Sequence, residues 1–224
     1  MSTVPEKKES LPDHPILSGY FLDGRLERLL AVVESLYREV SLPAHGMDHI
    51  RRVMINGAEI GREMNCRMDI VLPAILLHDI GFLEDPDPSN HHDRGARMCT
   101  RWLNEWNPED RQAIADCIRN HKGETRGFGT RPRNPEQEVV CDADSLEKVG
   151  YIGILQGIRT LTEFGEGGFP EFRSLPAALR HLAELDDQTF YTERGRRLAE
   201  ERGGVGLRRE LYSSALEELD RYIP

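Results

Sequence analysis

The chain has 224 residues, 38% hydrophobic and 30% charged, with a formal net charge of −10. These values exclude a disordered chain or a disulfide-stapled miniprotein and suit one core domain with an appendage. The acidic balance argues against a general nucleic-acid binder, which needs surplus Lys and Arg, yet it leaves room for a small anion at a local cation site.

Residues 1–20, with Pro5, Pro12 and Pro15, read as a loose N-terminal arm without an apolar leader segment. Next, Leu26, Leu29, Leu30, Val33, Leu36 and Tyr37 recur at helical spacing. A second stripe runs through Ile50, Val53, Gly57, Ile60 and Met64, and His49 opens it. A third helix is expected over about 69–80, with Val71, Ala74, Ile75 and His78 on one side. Its apolar run, Ile70 to Leu77, contains Pro73 and falls well short of a membrane span. Further helices are expected near 93–106, 109–121, 136–149, 151–163, 174–184, 187–202 and 207–222. Strand-like alternation is scarce, so the fold class is all-α. Gly and Pro cluster at 84–90 and 123–135, which read as loops. Cys66, Cys99, Cys117 and Cys141 form no C-x-x-C pair, which fits reduced thiols in a cytoplasmic protein.

Six of the eight histidines fall between residues 45 and 121: His45, His49, His78, His91, His92 and His121. Imidazole and carboxylate together hold most divalent ions, so this clustering matters. His49 and His78 share the inward faces of their helices. Asp79 follows about 100° further round. Near a helix end, an adjacent His and Asp can reach one ion, and a buried carboxylate there needs a compensating cation. The run from Val139 ends in Asp142 and Asp144, either of which could close a coordination sphere or cap the next helix. Any one histidine on an apolar face is most often bonded to a carbonyl. The metal reading comes from the joint occurrence.

The segments His49 to Val53 (HIRRV), Leu76 to Gly81 (LLHDIG) and Asp142 to Leu146 (DADSL) resemble the H…HD…D signature of the HD superfamily. Asn90 to Ala96 (NHHDRGA) and Ile118 to Lys122 (IRNHK) are similar to a subgroup of its bacterial and archaeal hydrolases. The resemblance implies an HD-domain helical bundle over 21–165, with additional C-terminal helices over 166–224 packed on the core. It implies His49, His78, Asp79 and one of Asp142 and Asp144 as metal ligands. Asp144 is favoured because it follows a small residue, which leaves Asp142 to orient a ligand. His91 and His121 would supply a second ion, with Asp79 bridging. The cofactor would be one or two divalent ions per chain: Mn, Fe, Ni, Co, Zn or Mg.

The implied activity is a metal-dependent phosphohydrolase that cleaves a nucleotide or other phosphate ester with a metal-activated water. Asp79, Asp144 and Asp142 would be its catalytic carboxylates, with Asp144 or Asp142 as general base. Lys122, Arg52, Arg126, His92 and His45 are candidates for contact with substrate. Many relatives carry a basic residue after the last Asp; here that position is Ser145, and Lys148 or Lys122 could substitute. Two alternatives remain open: a di-iron oxygenase of the same superfamily, and a non-catalytic helical module with a vestigial site. The expected partner is a small phosphorylated substrate, with no nucleic-acid polymer and no membrane. The C-terminal helices either pack on the core or form a homodimer contact.

Overall fold

A helix that is apolar on every side has to be covered on every side. Met68–Leu77 is such a helix: Asp69 is its one polar residue, and Val71, Ala74, Ile75, Leu76 and Leu77 are all fully buried. The rest of the bundle packs round it. The computed structural model describes residues 10–124, 130–165, 173–184 and 190–222. Within them the helices are α1 (Arg25–Arg38), α2 (Met47–Glu63), α3 (Met68–Leu77), α4 (His91–Met98) and α5 (Pro108–Asn120). They continue as α6 (Pro135–Ser145), α7 (Gly150–Gly165), α8 (Leu175–Glu184), α9 (Glu193–Glu201) and α10 (Gly206–Leu219). Among the described residues there is no strand, as the scarcity of alternation predicts.

Helices α1, α2, α5 and α6 surround α3. Pro73 sits inside α3 and lacks the N–H that would bond to the carbonyl four residues back. That carbonyl, on Asp69, accepts Trp106 Nε1 at 3.0 Å instead, so no backbone group is stranded. Two helices begin with an Asn-Pro step. Asn107 accepts from the backbone N–H of Asp110, and Asn134 from that of Gln137, with the proline at the first helical position.

The expected boundaries shift where a cap or a tight turn intervenes. The helix expected over 69–80 ends at Leu77, and a 3₁₀ turn, Ile80–Leu83, follows. The one expected over 93–106 starts at His91, ends at Met98 and tightens into a 3₁₀ turn, Cys99–Trp102. The one expected over 136–149 becomes α6 and a 3₁₀ turn, Leu146–Lys148. The one expected over 187–202 is α9, whose start is fixed by the Thr192 side chain accepting Gly195 N–H. α4 lies directly on the Ile80–Leu83 turn: a Cβ at Gly81 would come within 2.0 Å of the His91 carbonyl oxygen.

A second apolar cluster joins α7, α8 and α10 through Ile154, Phe164, Leu179, Leu182 and Tyr212, and Phe82 reaches into it from the main bundle. Leu198 and Ala199 of α9 belong to the main core. So do Leu11 and Leu17, within the segment read as an arm. The four cysteines are free. Among the described residues no helix is long and apolar enough to cross a membrane.

Candidate metal centre

Five helix ends converge inside the bundle. His49 comes from the first turn of α2, and His78 caps the end of α3. His91 starts α4, His121 caps the end of α5, and Asp144 lies in the last turn of α6. Asp79 has already left the helical path, with φ −98° and ψ 7°. Its side chain therefore turns back toward His78. All six residues are buried, none more than 7% exposed.

Three of the histidines are held alike. Nδ1 of His78 donates to Ile75 O at 2.7 Å, that of His91 to Pro88 O at 2.8 Å, and that of His121 to Ile118 O at 2.7 Å. A carbonyl only accepts, so each Nδ1 carries the proton and each neutral ring presents a bare Nε2. Each of these Nε2 atoms faces another ring nitrogen. Nε2 of His49 lies 3.2 Å from Nε2 of His78, and Nε2 of His91 lies 3.2 Å from Nε2 of His121. Two bare nitrogens at that distance repel unless a proton or a metal cation stands between them. Nitrogens bound to one ion at about 2.0–2.1 Å sit roughly 3.0–3.4 Å apart.

Asp79 divides its oxygens between the two pairs. Oδ2 lies 3.1 Å from His78 Nε2 and 3.5 Å from His49 Nε2. Oδ1 lies 3.4 Å from His91 Nε2 and 3.8 Å from His121 Nε2. Asp144 Oδ1 joins the first pair, 3.3 Å from His49 Nε2. The donors form two groups able to hold an ion, His49–His78–Asp79 and Asp79–His91–His121. Asp79 Oδ2 is buried with no hydrogen-bond partner among the described residues, a costly state that a cation would relieve. The nitrogen and oxygen donor set suits a divalent first-row ion.

The electrostatics agree. Burial opposes charge on Asp79, but His78 outweighs it and holds the carboxyl well below the usual range. Burial is likewise outweighed at Asp144, by Lys148 and His49. His49 is pushed up to about 10: burial pulls it down, but hydrogen bonds to Asp144 and Glu147 pull harder upward. In the absence of an ion this group thus takes up positive charge as protons, which a metal would displace. Burial lowers His91, and lowers His121 to about 3, so these two histidines stay neutral and ready to coordinate.

The other expected site residues are placed differently. Asp142 does not join the cluster. Its Oδ1 accepts Tyr191 N–H at 2.9 Å, and its Oδ2 accepts Thr192 N–H at 2.8 Å and Thr192 Oγ1–H at 2.7 Å. Residues two apart on a helix point about 200° apart. With Asp144 aimed at the histidines, Asp142 is left to tie α6 to the start of α9. Burial raises its carboxyl to about 6 against the pull of those donors. Arg52 lies behind His49, donating to Glu147 Oε2 at 2.7 Å and Asp48 Oδ2 at 2.8 Å. Arg126 lies outside the described residues.

Lys122 Nζ donates to Pro88 O at 3.1 Å, and burial, with Lys148 adding, lowers it to about 8. Lys148 Nζ meets Asp144 Oδ2 at 2.7 Å. His92 is buried beside His91, and its Nδ1 has no hydrogen-bond partner among the described residues. His45 pairs through Nδ1 with Glu163 Oε1 at 2.5 Å and packs on Phe82, ring centroids 4.5 Å apart.

Sequence reasoning missed Glu147, Glu163 and Arg94. Glu147 shares a helical face with Asp144, three residues on, and that spacing was the available signal. Glu163 had none, since the residues it meets, Ala44 and His45, are more than a hundred positions away. Arg94 pins the proline-containing segment over 84–90 by donating to the carbonyls of Gly81 at 3.2 Å, Asp85 at 2.7 Å and Asp87.

Residues 46–148 match the family model of the HD domain. The Bacillus subtilis protein YpgQ is 27% identical over 183 residues, covering 79% of this chain and 85% of YpgQ. The structure of YpgQ in complex with ADP aligns with a TM-score of 0.56 and 24% identity, covering 89% of this chain and 98% of that one. A predicted HD superfamily hydrolase from an uncultured Thermotogales bacterium aligns with a TM-score of 0.58 and 22% identity, covering 92% of this chain and 97% of its own. A protein of Lactobacillus plantarum gives a TM-score of 0.65 at 22% identity, covering 90% and 99%.

Proposed function

The chain belongs to the HD-domain superfamily, and from that premise we propose that it is a metal-dependent phosphohydrolase acting on a nucleotide or a related phosphate ester. One observation carries the reading: Asp79 divides its two oxygens between two pairs of facing histidine nitrogens, and one of those oxygens has no hydrogen-bond partner among the described residues. His49, His78, Asp79 and Asp144 would hold one ion, and Asp79, His91 and His121 a second. Bound there, divalent ions supply a Lewis acid for a phosphoryl oxygen and bring the pKa of water near neutrality.

The chain's own groups would do the rest. Asp144 keeps Oδ1 in the cluster while Lys148 fixes Oδ2, which suits a carboxylate placed to take a proton from the attacking water. Lys122 and Lys148 both act electrostatically on Asp79 and Asp144, which suits cations that meet substrate phosphate oxygens. The ADP bound to YpgQ supports a nucleotide, and the Thermotogales relative supports hydrolysis.

The test is a panel of nucleoside mono-, di- and triphosphates and phosphodiesters. Each is assayed with manganese, nickel, cobalt, magnesium or iron(II) after the protein has been stripped by chelator. Phosphate or pyrophosphate release that depends on added metal is expected for at least one substrate. Oxygen consumption by the iron-loaded protein, with no hydrolysis under any metal, would replace this reading with the oxygenase one.

A further inference from the structure

Three of the four clustered histidines are oriented by backbone carbonyls, and His49 is not. It lies in the first turn of α2, and its Nδ1 makes no hydrogen bond to a backbone carbonyl among the described residues. The orienting group has to come from elsewhere in the chain. Glu147 Oε2 stands 3.4 Å from His49 Nδ1. The other neighbour of that nitrogen is Gln156 Nε2, also at 3.4 Å, but this amide nitrogen donates to Ala44 O at 2.8 Å. An N–H on Nδ1 would meet a second donor there, so the carboxylate is the partner that fits.

We infer that Glu147 is a positioning residue for the metal centre: its carboxylate accepts the Nδ1 proton of His49 and so presents Nε2 bare to His78, Asp79 and Asp144. The inference rests on the metal-hydrolase reading above. One short stretch of chain grips both edges of the imidazole. Asp144 meets Nε2 at 3.3 Å, and Glu147, three residues later, meets Nδ1. Glu147 is only 2% exposed, and a buried carboxylate is retained only when it is compensated. The compensation is Arg52, whose Nε donates to the same Oε2 at 2.7 Å while its Nη1 is braced on Asp48 at 2.8 Å. Arg52 therefore acts through Glu147 and His49. A carboxylate behind a ligating histidine fixes its tautomer and raises its basicity, and removing such a partner weakens metal binding about 10- to 100-fold.

The substitution Glu147→Gln keeps the size and an acceptor oxygen and removes the charge. Metal-free protein is titrated calorimetrically with manganese, and the His49 Nδ1 proton is followed by NMR in zinc-loaded protein. The unmodified protein is expected to show two classes of site. In the variant one class weakens about 10- to 100-fold, the other holds, the downfield Nδ1 resonance is lost, and the urea midpoint of the metal-free protein stays put. An unchanged isotherm and resonance would overturn the inference. So would both classes weakening together with the urea midpoint, because that pattern marks a merely structural residue. If the unmodified protein takes up no manganese, the metal-hydrolase reading itself falls and this inference falls with it.

Discussion

Asp79→Asn is expected to strip both ions at once and to lower metal-dependent hydrolysis by about 10³-fold or more, on the order of 4 kcal/mol of transition-state stabilisation. The reason lies in how the carboxylate is shared. Oδ2 faces His78 and His49, and Oδ1 faces His91 and His121. An amide has one oxygen and one nitrogen, and the nitrogen carries hydrogens where a lone pair is needed. Whichever way it turns, one pair of histidines loses its ligand, and the other is left with a neutral donor. The fold should survive, because the substitution is isosteric and removes a buried charge. Metal analysis by atomic emission and a urea melt in chelator check both halves. Full metal occupancy in the folded variant would contradict the shared role.

Asp142→Ala is expected to cost about 4 kcal/mol of stability while leaving the metal content of the folded protein unchanged. Three donors converge on this fully buried carboxylate: Tyr191 N–H, Thr192 N–H and the Thr192 hydroxyl. The pocket is tight, since a Cβ at Gly195 would lie 2.4 Å from Asp142 Oδ2. Alanine leaves those donors buried without an acceptor and loosens α9 from α6. Asp142→Asn should be intermediate, because one amide edge would face backbone N–H groups. Urea denaturation followed by circular dichroism gives the stability, and manganese titration gives the content. Loss of metal at unchanged stability would instead return Asp142 to the reacting centre.

These expectations show what could be read from the chain. The apolar period of Leu26 to Tyr37 and of Ile50 to Met64 placed α1 and α2, because burial of a helical face forces that spacing. His49, His78, Asp79, His91, His121 and Asp144 stood out for a related reason: polar groups on inward faces need partners. The choice between Asp142 and Asp144 turns on the rotation of α6, which its neighbours set. Arg52 looked like a substrate cation because sequence shows its charge and hides Glu147, which lies 95 positions away. The pairing of His45 with Glu163 is hidden in the same way, 118 positions apart. Leu11 and Leu17 looked like part of an arm because prolines flank them, yet each finds an apolar surface on the bundle.

The most direct test is a crystal soaked with manganese and measured for anomalous scattering. Two peaks are predicted, one among His49, His78, Asp79 and Asp144, the other among Asp79, His91 and His121, with Asp79 touching both. A fully soaked crystal with no peak at these histidines, or with manganese only elsewhere, would contradict the account.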